Sequence, residues 1–370
     1  LRSEYESLIM ADIPYFRLNA NALDIKDGED KILVKGYFTT KCFERIIDKT
    51  ERLNENDLAL QERYIRYAFY ARAAKSFHDD ARSAVLSDGL VKRDTGHLPE
   101  VSTDDCIKVA KIIAGDLEHE ALKASDGSMA WIALEYLKEA DVFQFKPISY
   151  NLYSGATGVG FFFAALYKVT GEEKYHDLAM AAMKPIMRIV DEEMNELMRY
   201  SGVGGGVGLG SLIYGFASMV DFLGDTEFGK TAREYGLECI AHIDAEALEI
   251  DKKFDVIFGS AGLLLGLIKL YHVTGDERVL NAVRLTADYL VKSIKNTAQG
   301  ENLIPTYGNN VITGLSHGAS GVALALLKAF ALTGDERYRD VAMAHIDFEE
   351  KMYDADAANY PTYQSKGSIV

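Results

Sequence analysis

Cysteine is scarce in this 370-residue chain: Cys42, Cys106 and Cys239 stand far apart, with no Cys-x-x-Cys pair. Neither a disulfide framework nor a cysteine-built zinc cage can come from them, and a reducing, cytoplasmic setting fits. Positive charge is short too. Lys and Arg number 40 against 56 Asp and Glu, a net charge of −16, so no basic surface is available to hold a polyanion and nucleic acid is not an expected partner. Long apolar runs are missing. The stretches 159-VGFFFAALY-167 and 261-AGLLLGLIKLY-271 fall short of the roughly 20 residues a bilayer span requires, so the expectation is a soluble protein with no transmembrane segment. No basic n-region followed by an apolar core marks a secretory signal. The chain opens on Leu1 and ends in 358-ANYPTYQSKGSIV-370, which suggests a piece of a longer protein. Hydrophobic residues are plentiful at 48%, enough for two or three domains with real cores.

The first 100 residues predict a small mixed α+β segment. In 22-ALDIKDGEDKILVKGYF-38, two β-prone runs flank a turn in which Gly28 is expected to take the positive φ. Thr39 or Thr40 is the expected cap of a short helix reaching about Asp48. A long amphipathic helix is expected from Asn54 or Asn56, because Leu58, Leu60, Tyr64, Ile65, Tyr67, Ala68 and Phe69 recur near helical period. Turn residues between Ser87 and Asp104 mark a boundary. Residues 101–150 read as a helical connector starting near Asp104.

From residue 151 the chain repeats. Four times a glycine-rich turn leads into an apolar helix, then a Gly-acid break, then a more polar helix. The breaks fall at Gly171, Gly224, Gly275 and Gly334, separated by 53, 51 and 59 residues, the length of a helical hairpin with its loops. Thirteen residues separate Gly158 from Gly171, Gly262 from Gly275 and Gly321 from Gly334, whereas Gly208 to Gly224 spans 16. Such intervals suit helices of about three and a half turns stopped by glycine at C′. Asp276-Glu277 and Asp335-Glu336 then favour the start of the next helix. A helix apolar on most faces must be covered all round, so the pattern predicts a mainly α fold, an α/α barrel of hairpins with all the Gly-x-x-Gly turns at one end.

Two ionisable residues stand in those turns. His317 lies in 314-GLSHGASG-321 ahead of the fourth inner helix, and Asp255 lies in 254-FDVIFGSAG-262 ahead of the third. Histidine there can pass a proton near pH 7; the competing reading is that both only cap turns. The run 202-GVGGGVGLG-210 fits neither a dinucleotide fingerprint nor a P-loop. His119-Glu120 is followed by Lys123 where a zinc protease needs histidine. His78, His97, His176, His242, His272 and His345 occupy polar or outer-helix contexts and are expected to be solvated or packed.

Four stretches resemble class II lanthipeptide synthetases of the LanM type with their LanC-like cyclase: 12-DIPYF-16 with 54-NENDLALQERYIRYAF-69, 115-GDLEHEALKASDGSMAWIAL-134, 152-LYSGATGVGFFFAALYKVTGEEKY-175 and 314-GLSHGASGVALALLKAF-330. The resemblance implies a bifunctional enzyme. A lipid-kinase-like dehydratase uses ATP and Mg2+ to dehydrate Ser and Thr of a ribosomal precursor peptide, and a cyclase adds Cys thiols to the products as lanthionine thioether rings. It implies that residues 1–100 are the C-terminal tail of the dehydratase and 151–370 the first four of seven toroid hairpins. It further implies a Zn2+ held by two cysteines and a histidine; the motifs that carry them do not occur here and are expected beyond Val370. His317 matches the family's active-site His-Gly and is the expected proton donor to the enolate, with Asp255 positioning it or sharing the proton. The piece alone is then expected to be inactive. The other readings are an α/α-barrel glycoside hydrolase, which needs two carboxylates at the barrel mouth, and a non-catalytic peptide-binding fragment.

Overall fold

A computed structural model describes residues 2–87, 101–137, 140–356 and 358–360. The chain divides into two compact units, residues 1–91 with 134–145, and residues 92–133 with 146–370. His97 and most of the boundary expected between Ser87 and Asp104 lie outside the described residues.

The first unit holds helix α1 (Arg2–Ile9), a two-stranded antiparallel ladder of β1 (Ile25–Lys26) and β2 (Ile32–Val34), and helices α2 (Cys42–Glu51) and α3 (Glu55–Ser87). The hairpin forms as expected, but its positive φ falls on Asp30, at 67°, and not on Gly28. Asp27 explains the shift: its carboxylate accepts the N–H of Glu29 and of Lys31 at 3.0 Å each, an Asx turn that places the left-handed residue two positions later. A Cβ at Gly28 would come to 2.6 Å of the Tyr15 ring, an exposed side chain with room to swing aside. Helix α2 is capped at Lys41 and not at Thr39 or Thr40. Helix α3 starts where Asn54 predicts, its side-chain oxygen accepting from Asn56 and Asp57 N–H.

The second unit begins with α4 (Thr103–Glu120), capped by Ser102 in a reciprocal box with Asp105. The expected helical connector ends there. Beyond it come β3 (Leu122–Lys123) and β4 (Met129–Ala130), and then β5 (Ile132–Leu137) and β6 (Val142–Pro147), whose residues 134–145 belong to the first unit. β-branched and aromatic residues alternating in 142-VFQF-145 suit a strand better than a helix. The single tryptophan, Trp131, is buried and donates its indole N–H to Leu117 O at 2.8 Å, fixing the end of α4.

Four helical hairpins follow. Inner helices α5 (Ala156–Thr170), α8 (Leu209–Leu223), α11 (Ser260–Thr274) and α13 (Ala319–Thr333) pack side by side in that order. Each is backed by its own outer helix: α6 (Glu173–Glu192), α9 (Glu227–Glu238), α12 (Glu277–Lys292) and α14 (Glu336–Lys351). Short helices α7 (Met194–Ser201) and α10 (Ala245–Glu249) fill connections, and β7 (Lys295–Asn296) pairs with β8 (Asn302–Leu303) ahead of α13. This is an incomplete α/α toroid. Leu212, Ile213, Phe216 and Met219 of α8 are fully buried, and each such side chain contributes about 1.5–3 kcal/mol of burial.

Three of the four glycine breaks are left-handed C′ caps, Gly171, Gly275 and Gly334, each returning its N–H to a carbonyl four residues back. Gly224 departs, with φ 58° and ψ −131°, in the repeat whose spacing also departs. Asp276 and Asp335 cap the helices after their breaks, accepting from Arg278 and Arg337 N–H.

Candidate functional site

The N-terminal turns of the four inner helices lie at one end of the second unit because their backbones are hydrogen-bonded in series. Tyr153 N–H donates to Gly206 O at 3.1 Å, Gly206 N–H to Ile257 O at 2.9 Å, and Val256 N–H to Ser316 O at 3.2 Å. Only glycine permits such approach. A Cβ on Gly262 would collide with the carbonyl of Val256 and with the backbone of Gly205, so the Gly-x-x-Gly spacing here is a packing requirement.

That stitching brings the two expected residues together. His317 Nδ1 lies 2.8 Å from Asp255 Oδ2, although 62 residues separate them in sequence. The carboxylate accepts, so the hydrogen bond assigns the proton to Nδ1 and leaves Nε2 as the nitrogen that can exchange a proton. The side chain of Asp255 is 3% exposed and that of His317 is 43% exposed: the acid is an internal anchor and the ring presents an edge outward. Phe258 stacks on the imidazole, with centroids 5.4 Å apart and planes 15° from parallel. The other carboxylate oxygen of Asp255 accepts Phe258 N–H at 2.6 Å, so one side chain sets both the turn and the ring.

Asp251 was not singled out by its sequence context, yet it holds the same loop. One of its oxygens accepts Lys253 N–H at 2.8 Å and Phe254 N–H at 3.2 Å; the other accepts Ser260 N–H at 2.7 Å and the Ser260 hydroxyl. Between the two acids Phe254 sits at φ 57°, a left-handed conformation that costs a non-glycine residue about 1–3 kcal/mol. Tyr289 closes the loop from α12 by donating its hydroxyl to Asp251 O at 2.9 Å. Burial, together with the nearby Asp251 charge, pushes that phenol up to about 12, so it stays a donor. The signals available were an acid four residues before Asp255 and an aromatic directly before the helix cap; neither specifies its partner.

At the turns of the first three inner helices, Leu152, Tyr153, Tyr214, Val256, Ile257 and Leu265 line a mostly apolar cavity of about 470 Å3, with glycines at 205, 206 and 262; neither His317 nor Asp255 is among its lining residues. No group of three or more His, Cys, Asp or Glu able to hold a metal occurs among the described residues. The three cysteines do not fit a zinc site either: Cys42 and Cys106 are exposed, whereas Cys239 is wholly buried and burial drives its thiol well above the usual range. The remaining described histidines take no part. His345 is fully buried in packing, and His176 meets the rings of Tyr167 and Phe228 edge-on. No helix among the described residues is long and apolar enough to cross a membrane.

The second unit is an α/α toroid with a histidine–aspartate pair at its glycine-rich end, a class of helical barrel. The chain belongs to that class through one family: the sequence model "Lanthionine synthetase C-like protein" matches residues 146–369. It is also similar to the lacticin 481/lactococcin biosynthesis protein LcnDR2 of Lactococcus lactis subsp. lactis, at 23% identity over 344 residues, covering 91% of this chain and 33% of that protein. The chain thus spans about a third of that relative's length. Among solved structures, nisin cyclase superposes with a TM-score of 0.40 at 20% identity, covering 55% of this chain and 52% of its own. A D-mannose isomerase gives 0.41 at 14% identity, covering 72% and 75%.

Proposed function

We propose that the second unit contributes the proton-transfer half of a thioether-forming site in lanthipeptide biosynthesis, acting on a ribosomal precursor peptide whose Ser and Thr have been dehydrated. The observation that carries it is the His317–Asp255 pair at 2.8 Å in a chain of the lanthionine synthetase C-like family. A cysteine thiolate of the peptide adds to the β-carbon of a dehydro residue. The C–S bond forms, the C=C π bond breaks, and its electron pair becomes an enolate on the α-carbon side. His317, carrying a second proton that Nε2 has taken from solvent, delivers it to the enolate at Cα and returns to the Nδ1–H form, while the thiol proton goes to solvent, so one proton is taken up and one released. Asp255 holds the ring with Nδ1–H toward the protein, so the exchanging nitrogen faces the peptide. The zinc that the family implies finds no ligand set in the described residues, so thiol activation is assigned to none of them.

The lacticin 481 relative aligns over 91% of the chain, so the likeness reaches well before residue 146. This supports residues 1–100 as the tail of a dehydratase module, whose ATP and Mg2+ would be bound elsewhere in the complete enzyme, working in the cytoplasm. A glycosidase reading fares worse. Asp255 is committed to His317, and both oxygens of Asp251, the other buried acid in these turns, are taken by Lys253, Phe254 and Ser260.

The test is ring formation by the complete parent enzyme on a pre-dehydrated precursor peptide, followed as loss of free thiol by alkylation and mass spectrometry. His317→Ala should slow cyclisation about 100-fold or more. Unchanged rate and stereochemistry would overturn the assignment.

A further inference from the structure

The turns ahead of the inner helices are held in different ways, and the fourth is held from outside. Four residues before the helix cap, the first turn has Asn151, whose side-chain oxygen accepts Ser154 N–H at 2.8 Å. The third has Asp255, which accepts Phe258 N–H at 2.6 Å. The fourth has Gly314 at that position, with no side chain to offer and φ 101°, yet it carries His317. A carboxylate from the outer helix α14 reaches it instead: Glu349 Oε1 accepts Gly314 N–H at 2.6 Å.

We infer that Glu349 is a positioning residue for His317, clamping from α14 the turn that aims the imidazole at Asp255; the functional meaning of that clamp rests on the reading above. Glu349 is only 8% exposed, and its second oxygen is buried without a partner in the described structure. A half-satisfied buried carboxylate weakens a fold compared with an apolar residue of the same shape, so stability alone does not account for it. One helical turn earlier on the same face, His345 makes a second attachment. Its Nδ1–H donates to Val341 O at 2.8 Å, which leaves Nε2 to accept Ile304 N–H at 3.2 Å. The two side chains thus pin the connection before α13 at Ile304 and at Gly314, the latter three residues before His317.

The experiment reads the turn without turnover. In the 370-residue chain, hydrogen–deuterium exchange of the peptide spanning 310–318 is measured together with the imidazole resonance of His317, identified by its loss in His317→Asn. Glu349→Leu, which keeps the packing and removes the acceptor, should raise exchange at Gly314 about tenfold or more and shift or broaden the His317 signal. Glu349→Gln, which keeps an acceptor oxygen, should restore both. A Glu349→Leu chain with unchanged exchange and an unchanged signal would overturn the inference, as would Glu349→Gln behaving like Glu349→Leu. If Glu349→Leu does not fold, the unsubstituted chain still decides: a Gly314 N–H that exchanges at an unprotected rate rules the clamp out. A cyclisation-competent His317→Ala enzyme would sink the proposed function and leave these readings untouched.

Discussion

Asn151 and Asp255 occupy the same place in two copies of one repeat, four residues before the helix cap. Each accepts the N–H three positions on. For holding the turn, an amide and a carboxylate are equivalent. The difference lies in the remaining atom: the Asn151 amide nitrogen donates to Ser149 Oγ at 3.0 Å, whereas the second Asp255 oxygen accepts from His317. Capping the turn and holding His317 are therefore not rival readings of Asp255, because its two oxygens do one each. What repeats along this chain is scaffold, and it is a departure from repetition at Asp255 and His317 that brings a carboxylate and an imidazole together.

The comparison can be broken most directly by exchanging the two side chains. Asp255→Asn keeps a turn acceptor but loses the charge that fixes the Nδ1–H tautomer. Cyclisation by the complete enzyme should fall about 100-fold or more with little change in melting temperature. Asn151→Asp should leave the rate within about twofold, because no imidazole faces that position. Equal losses from both would erase the distinction.

The scaffold half of the comparison predicts stability changes. Gly262→Ala forces a Cβ into backbone on two sides and should cost about 3 kcal/mol in denaturant unfolding. At the helix ends, Gly224→Ala should cost about 2 kcal/mol. Its φ of 58° with ψ −131° lies where only glycine is comfortable. Gly275→Ala, in an ordinary left-handed cap with open space around it, should cost about 1 kcal/mol. The reverse order would show that the repeat-two break is not the strained one.

The smallest expected effect is in pH dependence. Burial holds His345 below its ordinary value of 6.5, so the unfolded chain binds a proton that the folded chain refuses. Stability should therefore be full above about pH 6.5 and decline as pH falls below it toward the folded value. Urea midpoints between about pH 5 and 8 should show that slope in the parent chain and a flatter one in His345→Gln.

Local residues made much of this legible. The glycine intervals, the Gly-Asp breaks and the Asn54 cap each act within a few residues of themselves, and the structure has them where local chemistry puts them. The misreadings are local contests decided by a neighbour, such as Asp27 moving the positive φ from Gly28 to Asp30. Residues 121–147 read as helix because their short strands offer too few alternations to betray a period of two.

By itself the sequence determined that this is a chain of helical hairpins whose glycines gather the inner helices' N-termini, and it marked His317 and Asp255 as the ionisable residues in that gathering. Backbone sterics make such information local. Only the tertiary structure decided that the two side chains meet at 2.8 Å, that Asp251 and Tyr289 brace the loop between them, and that a carboxylate from α14 holds the fourth turn. Those contacts span tens of residues, and their existence depends on how whole helices pack, which no short stretch of sequence encodes.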